Sequence, residues 1–482
     1  MDGIASPNAI VWPTLAESNS NSNNDDDERA LPDDWPTAQD GSEWDGTRLL
    51  DLTRRGESPF GAAWNVEAFI GEVEQILNAS VVDIPTVSRG ANHYGLHVQL
   101  DSRPDVVARL SRHDVNSPGF HGSDLEAKQR QLSRFEIATY DALQPLARAS
   151  QPHGRVFGGR PLHHRDPVAW RAGAGVAPPS PPFPHDASAS MPPLCRTVLG
   201  RRLFLFEKSP GEGYDYVRWR ALSPAKKSFL LAQSARVAAT LFQYRLPAEY
   251  ASTWLPVRIT EHQQNYVSQR EVTPTRDFCA SLLHTRIEAA LSRLALRLPH
   301  LAPRALLVRQ DLDWLVPRVL PQAGNGLSET ALYRFVLDHG DFGIHNMTIA
   351  TDDHGRPYIT SVYDWEAASI VPALLSEPKM VVTADLVVND EGEPAISRWG
   401  DGDSISHMGE YLEWSNEYYK ELFRQSPEYR GVIMASGDAR RIWFAMREFE
   451  VEDHRQRLVW LSGWARRKVA EYRAKEGFYL VE

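Results

Sequence analysis

Short apolar runs alternate with polar turns over residues 335–364 of this 482-residue chain. Residues 335–337 and 347–349 have the length and composition of buried strands. The run Asp-Asp-His-Gly at 352–355 is a turn signal, and a third apolar stretch follows it at 358–363. This pattern predicts three strands joined by a loop and a hairpin, so polar side chains in the loop and after the last strand lie at strand ends.

Helical periodicity marks other parts of the chain. Residues 124–146 are rich in helix formers and carry apolar side chains at roughly helical spacing. Ser223 and Pro224 supply an N-cap and a first-turn proline for another helix. Near the carboxy terminus the pattern predicts several more helices, among them 411–423, 439–450 and 453–472.

Three polar residues at the predicted strand ends have a spacing suited to phosphoryl transfer. Asp341 and Asn346 are five residues apart, as the catalytic Asp and the Mg-binding Asn are in a kinase-type loop, and Asp364 follows one hairpin later. Mg²⁺ prefers oxygen ligands, which Asn346 and Asp364 offer, and this leaves Asp341 to accept a proton. Each residue alone also suits a turn or a solvated strand end, but their ordered spacing favours a site.

The block from His339 to Glu366 resembles the aminoglycoside phosphotransferase-like branch of the protein-kinase-like superfamily, whose loop carries His-Gly-Asp in place of His-Arg-Asp. The resemblance implies that Asp341 is the catalytic base and that Asn346 and Asp364 bind Mg²⁺. It also implies an α+β, two-lobed protein-kinase-like fold. The small lobe is β-rich, the larger lobe is mostly helical, and ATP binds between them.

Looser parts of the same resemblance lie in the amino-terminal half. The segment 87–98 resembles the family's nucleotide-covering hairpin, with Gly90, Asn92 and Gly95 as the predicted cofactor contacts. Glycine lets the backbone approach phosphates closely. Two glycines five residues apart also occur in many hairpins, so the position of the segment, rather than the motif, favours phosphate contact.

A cation and a partner carboxylate are expected after the hairpin. Arg109 ends a β-branched run at the place where kinases carry the lysine that pairs with the α- and β-phosphates. Its forked donors also suit phosphate oxygens. The resemblance implies that a glutamate on the next helix orients it; Glu136 is the predicted partner, and Glu126 is the competitor. An edge-strand arginine in solvent and a solvated helix glutamate are the alternatives.

The apolar run at 203–206 predicts a buried strand that stops at a turn. It resembles the family's hinge, where backbone groups meet the adenine. Phe206, Glu207 and Lys208 are the predicted hinge residues by position only, because backbone contacts leave little trace in a sequence. A core strand that runs into a loop would have the same sequence pattern, so this alternative stays open.

Composition narrows the function classes. A net charge of −11 and a pI of about 5.8 argue against a nucleic-acid binder, which needs a basic face. Cys195 and Cys279 are the only cysteines, so neither a disulfide framework nor a cysteine zinc site is expected. No stretch approaches the roughly 18 apolar residues of a membrane span. These features predict a cytoplasmic protein, with the nucleus as the alternative location, and neither nucleic-acid nor membrane partners.

The chain divides into three predicted regions. Residues 1–58 form a disordered acidic and polar extension, residues 59–206 a kinase-like N-lobe, and residues 207–482 the C-lobe with the catalytic and metal-binding loops. A Pro/Gly-rich insertion at about 149–193 interrupts the N-lobe. It contains His-Arg-Asp at 164–166, but Arg171 stands where a kinase loop needs Asn, so the match is a chance one.

The predicted activity is transfer of the γ-phosphoryl group of ATP, with Mg²⁺, to a hydroxyl of a small-molecule acceptor. The rival from another class is a catalytically silent kinase-like module that binds nucleotide, ligand or protein; the loose glycine hairpin and Arg109 favour it, and the complete base and metal residues count against it. A protein kinase is disfavoured by Gly340 in place of arginine.

Overall fold

The computed structural model describes residues 35–38, 40–61, 63–90, 92–112, 122–148, 154–157, 159, 161–166, 198, 201–261, 271–324, 326–380, 385–388, 394–398, 408–448 and 454–477. Its strands are β1 (Val81–Arg89), β2 (His93–Leu100), β3 (Val106–Ser111), β4 (His163–Arg165), β5 (Leu203–Glu207), β6 (Glu212–Gly213), β7 (Phe335–Asp338), β8 (Met347–Thr351), β9 (Pro357–Val362), β10 (Ser369–Pro372), β11 (Asp385–Val388) and β12 (Pro394–Arg398). Its helices are α1 (Leu49–Arg54), α2 (Val66–Leu77), α3 (Gly122–Arg148), α4 (Tyr216–Ala221), α5 (Pro224–Gln243), α6 (Ala248–Glu261), α7 (Arg276–Arg297), α8 (Ala302–Val319), α9 (Glu329–Tyr333), α10 (Met408–Gln425), α11 (Pro427–Ala435), α12 (Gly437–Glu448) and α13 (His454–Lys475).

The described residues form two compact units. Residues 35–148 and 157–210 make the first, which contains the five-stranded sheet and is called the β-rich unit below. Residues 154–156 and 211–477 make the second, the helical unit, which contains α4 to α13. The predicted α+β class, with one β-rich and one mostly helical part, is confirmed. The division follows Pro210, close to the predicted boundary after residue 206.

The sheet of the β-rich unit is antiparallel, with strand order β1-β2-β3-β5-β4. Successive side chains of a strand point to opposite faces. Val98 of β2 and Ala108 and Leu110 of β3 therefore join the main apolar cluster on one face. Arg109 lies between two of these residues and faces the other way, where it contacts Glu136 of α3.

Residues 35–38 and 40–58 supply part of the core of the β-rich unit. Helix α1 buries Leu49 and Leu50, and the ring of the buried Trp44 lies 5.5 Å from that of Phe60. The prediction of a disordered extension over residues 1–58 is wrong for this part, and residues 1–34 lie outside the described residues. The apolar side chains of residues 35–58 are few and follow no helical or strand period. The polar composition of the segment therefore predicted disorder.

The predicted Pro/Gly-rich insertion at about 149–193 contains an edge strand. In β4, residues 163–165 pair with residues 203–205 of β5, and Arg165 donates to Glu72 of α2 at 3.2 Å. Strand β4 was not predicted from the sequence, because three residues are too few to show strand alternation. Most of the remaining insertion lies outside the described residues.

The helical unit is organised around α5. Its N-cap is Ser223 and its first residue Pro224, as the sequence predicts. It packs against α10 and β9, and Gln233 joins it to the strand: its amide group donates to Pro357 O at 3.0 Å and accepts from Ile359 N at 3.0 Å. Strands β6, β8 and β9 form a small sheet, and β7 pairs with β10. These strands carry the loops of the candidate site.

None of the described helices combines the length and the apolar character that a membrane crossing requires.

Candidate active site

The loop between β7 and β8 carries Asp341 and Asn346, and the segment after β9 carries Asp364. Strands β8 and β9 pair in antiparallel register, and the N–H of Tyr363 donates to the carbonyl oxygen of Asn346 at 3.1 Å. Asn346 and Asp364 therefore leave the same end of one strand pair. The predicted strand-end placement of the three polar residues is observed.

Gly340 is fixed by close contact between the loop and the segment after β9. Its φ is +81°, and a Cβ at this position would lie 2.6 Å from the carbonyl carbon of Ala367 and closer still to its oxygen. A side chain is excluded both by the backbone conformation and by Ala367. Gly340 O in turn accepts from Lys379 Nζ at 2.7 Å. These contacts explain glycine in place of the arginine of a His-Arg-Asp loop.

His339 ties the same loop to β9. It is 3 % exposed, and because a carbonyl oxygen only accepts, its Nε2 carries a proton and donates to Tyr363 O at 2.9 Å. Burial lowers the pKa of His339 to about 4, so the ring is neutral at pH 7. The ring packs 4.5 Å from that of Trp365. His339 is thus a structural link between the two polar segments.

Asp341 is an exposed, ionised carboxylate with one oxygen held by the protein. Its Oδ2 accepts from Asn346 Nδ2 and from His345 Nε2, each at 3.0 Å. The hydrogen bond from His345 is the main reason why the pKa of Asp341 is lowered to about 2. Asn346 Nδ2 also donates to Asp341 O at 2.9 Å. The structure therefore brings Asp341 and Asn346 together, as predicted.

The donor set at the strand ends fits a hard cation. Because Nδ2 of the buried Asn346 donates to Asp341, the amide is oriented and its Oδ1 is the atom that a cation would contact. Asp364 holds a left-handed backbone conformation with φ +67°, which is unusual for a residue with a side chain and typical of functional positions. Among the described residues there is no group of three or more His, Cys, Asp and Glu suited to a metal. One amide and one carboxylate suit Mg²⁺, which keeps several waters and binds phosphates.

Arg109 and Glu136 form the predicted ion pair within the β-rich unit. Arg109 Nη1 and Nη2 donate to the two carboxylate oxygens of Glu136 at 2.8 and 2.9 Å. Arg109 is 9 % exposed and Glu136 is fully buried. The guanidinium also lies over the ring of Phe204, 5.3 Å from its centroid. The side chain of the competitor, Glu126, lies outside the described residues.

The glycine hairpin has structural reasons for its glycines. Gly90 N–H donates to His93 O at 2.9 Å, and a Cβ on Gly90 would lie 2.9 Å from that oxygen. Gly95 lies opposite Ser88 in β1, where a Cβ would come within 2.6 Å of the Ser88 hydroxyl. Asn92 O accepts from Arg112 N at 2.8 Å in the same turn. Nucleotide contact by these residues stays a prediction.

The predicted hinge lies at the end of β5. Strand β4 pairs with residues 203–205 only, whereas β3 continues as far as Glu207. Lys208 N–H donates to Asp105 O at 2.9 Å. From Phe206 onward, β5 therefore extends beyond the residues that pair with β4. Adenine contact by Phe206, Glu207 and Lys208 stays a prediction.

The sequence reasoning did not identify four residues that shape the loop. His345 bonds to the carboxylate of Asp341, and Gly343 lies beside the His345 ring. Tyr363 Oη donates to the backbone carbonyl of His345 at 2.8 Å. Lys379 reaches the loop from a distant part of the chain. His345 and Gly343 lie between Asp341 and Asn346, so their position in the motif could have indicated a role. No sequence pattern near Tyr363 or Lys379 indicates their contacts with the loop.

Glu136→Ala is expected to destabilise the β-rich unit by about 3–5 kcal/mol, because it removes the carboxylate from a buried guanidinium. Urea unfolding measures the loss. The control Arg109→Met/Glu136→Leu removes both charges and keeps apolar volume, so it should cost clearly less. Equal losses in the two proteins would contradict a paired buried charge.

Gly340→Ala is expected to lower stability by more than Gly355→Ala. Both glycines have positive φ, but a Cβ on Gly355 meets no atom within 4 Å. The Gly355 variant therefore reports backbone strain alone, about 1–2 kcal/mol, whereas Gly340→Ala also displaces Ala367. Thermal unfolding of both variants measures the difference. Equal shifts would show that Ala367 does not constrain the loop.

No family model matches the chain, and no curated protein matches its sequence. Solved structures similar to this one include a streptomycin–ATP–APH(2")-IIa ternary complex, at 11 % identity and TM-score 0.37, covering 84 % of this chain and 96 % of that one. Macrolide 2'-phosphotransferase type I matches at 11 % identity and TM-score 0.33, covering 83 % and 98 % of the two chains. Amicoumacin kinase hAmiN, in complex with AMP-PNP, Ca²⁺ and Ami, matches at 12 % identity and TM-score 0.31, covering 84 % and 93 %. Aminoglycoside, macrolide and amicoumacin phosphotransferases are thus among the solved structures to which this chain is similar.

Proposed function

We propose that this protein is a phosphotransferase that moves the γ-phosphoryl group of ATP, with Mg²⁺, to a hydroxyl of a small-molecule acceptor. The observation that carries the proposal is the constellation around Asp341. An exposed carboxylate is fixed by the same Asn346 whose amide oxygen suits a cation. A cytoplasmic location, where ATP and Mg²⁺ are present, accords with this activity.

Asp341 acts on the acceptor hydroxyl. A carboxylate with a pKa of about 2 is a weak base, so it does not ionise a free hydroxyl. Phosphoryl transfer has a loose transition state in which orientation matters more than early proton removal. Asp341 therefore aligns the hydroxyl by accepting its hydrogen bond. It takes the proton as the new O–P bond forms and the bond from the γ-phosphorus to the β,γ-bridging oxygen breaks, which releases ADP.

Asn346 and Asp364 are the proposed metal ligands. Bound Mg²⁺ neutralises charge on the phosphate oxygens. The protein contributes one neutral and one anionic oxygen donor, and the fixed amide of Asn346 defines where the first of these lies. The same amide touches Asp341, so the position of the base is coupled to that of the metal ligand.

The β-rich unit supplies the proposed nucleotide contacts. Arg109 is the proposed phosphate ligand. Two of the N–H groups of its guanidinium donate to Glu136, and this pair of hydrogen bonds fixes the orientation of the guanidinium. Gly90, Asn92 and Gly95 are the proposed backbone contacts to the phosphates. Residues 206–208 are the proposed adenine contacts, which the end of β4 pairing at residue 205 supports.

Asp341→Asn is expected to lower phosphoryl transfer by about 10²–10⁴-fold, the range for loss of a positioned general base, with little change in ATP affinity. Transfer of label from [γ-³²P]ATP to a panel of hydroxylated small molecules measures turnover, and calorimetry measures affinity. The matched control is Asp353→Asn, an exposed turn residue outside the site.

Unchanged transfer in Asp341→Asn would remove Asp341 from the role of base. ATP binding without transfer to any acceptor, in the wild type as well, would favour the silent nucleotide-binding module instead.

A further inference from the structure

We propose that His345 is a positioning residue that fixes one carboxylate oxygen of Asp341, so that the other oxygen, Oδ1, receives the acceptor's proton. The inference rests on the proposed function for the chemical role of Asp341. Both recorded side-chain donors, Asn346 Nδ2 and His345 Nε2, bind Oδ2 at 3.0 Å. Among the described residues no side chain or backbone N–H donates to Asp341 Oδ1.

Two contacts place the His345 ring. Gly343 has an extended backbone, with φ −132° and ψ 160°, which any residue adopts. Its lack of a side chain has another reason: a Cβ at this position would lie 2.5 Å from His345 Nδ1. On the other side, Tyr363 Oη donates to His345 O at 2.8 Å. Gly343 thus leaves room for the ring, and Tyr363 holds its backbone.

Stability alone gives the His345–Asp341 contact little value. The two side chains are 41 % and 57 % exposed, and ion pairs at such exposure contribute about 0–1 kcal/mol. A surface pair with so small a contribution does not need a glycine to accommodate it. Orientation of Asp341 does need space for the His345 ring, because a misplacement of about 1 Å in a catalytic group lowers the rate on the order of 10²-fold.

The contact also determines which face of the carboxylate is available. A carboxylate has two oxygens with about two lone pairs each. With Asn346 and His345 both on Oδ2, rotation about the Cβ–Cγ bond would break two hydrogen bonds. Oδ1 is consequently held in one position on a side chain that is exposed. A single donor from Asn346 would leave the carboxylate free to pivot about one contact.

The test compares Gly343→Ala with His345→Leu and His345→Gln. Gly343→Ala is expected to displace the ring, and His345→Leu to remove the donor; each should lower kcat by about tenfold to 10²-fold with KM for ATP nearly unchanged. His345→Gln retains an N–H donor and should recover part of the loss. The matched control is Gly409→Ala in α10, where a Cβ meets nothing within 4 Å.

A second readout does not depend on turnover. In protein labelled with ¹⁵N at its 16 histidines, the ring signals of His345 are assigned by their absence in His345→Gln. The expected wild-type spectrum shows a protonated Nε2 whose signal shifts in Asp341→Asn and in Gly343→Ala, but not in Gly409→Ala.

The outcomes separate the two proposals. A shifted ring signal in Gly343→Ala with unchanged kcat would overturn the positioning role while leaving the phosphotransferase intact. An unshifted signal in both Gly343→Ala and Asp341→Asn would show that the contact does not exist in solution, and would overturn the inference by itself. Should the wild type transfer no phosphoryl group, the proposed function fails and with it the positioning role of His345, even if the spectra establish the contact.

Discussion

The candidate site depends on the close packing of two segments that one hairpin separates in the chain. Gly340 lies against the backbone of Ala367, and His339 donates to the carbonyl of Tyr363 at 2.9 Å. These contacts join the loop after β7 to the segment after β9. Because the contacts involve backbone, they leave no room for larger side chains and little freedom to slide. Asp341 and Asn346 are thereby placed at the same strand ends as Asp364.

Burial then gives neighbouring titratable groups different charge states. Asp338 at the end of β7 is desolvated, which raises its pKa to about 7, whereas burial lowers the pKa of His339 to about 4. Asp341, at the exposed end of the same segment, is held ionised by its hydrogen bonds, with a pKa of about 2. Asp341 is the most exposed of the three groups and is fully ionised at neutral pH. In the proposed function it is the group that meets the acceptor hydroxyl.

The buried pair of Arg109 and Glu136 has a comparable role in the β-rich unit. A charge pair of this kind contributes little net stability relative to apolar side chains, but losing one partner costs several kcal/mol. Its bidentate geometry orients the guanidinium. In the proposed function Arg109 binds phosphate, and such orientation would favour a charged pair over an apolar one at this position.

Much of the site was predictable from sequence because its spacing is local. Asp341, Asn346 and Asp364 follow from a loop and one hairpin, and the family resemblance implies a glutamate, Glu136 or Glu126, on the helix after Arg109. Packing between segments far apart in the chain determines the parts of the fold that the sequence did not predict. Trp44 and Leu49 reach the core from a polar segment, and β4 pairs with β5 while its Arg165 bonds to Glu72, 93 residues away. No local pattern encodes such contacts.

The glycines show the same limit in another form. The sequence identifies Gly90 and Gly95 as glycines suited to phosphate contact, but it does not show that His93 and Ser88 already occupy the space beside them. Gly343 has a similar neighbour, the ring of His345, which depends on a rotamer that no spacing rule predicts. A glycine in a motif therefore has two explanations, and only coordinates distinguish them.

The most direct test of the account is calorimetric titration of the protein with ATP, with and without Mg²⁺, in the wild type, Asp364→Asn and the control Asp353→Asn. The account predicts Mg²⁺-dependent binding in the wild type and the control, weakened at least about tenfold in Asp364→Asn, because loss of a ligand should cost no less than loss of an outer-shell partner. Mg²⁺-dependent affinity that is equal in all three proteins would contradict a metal and nucleotide site at the ends of β8 and β9.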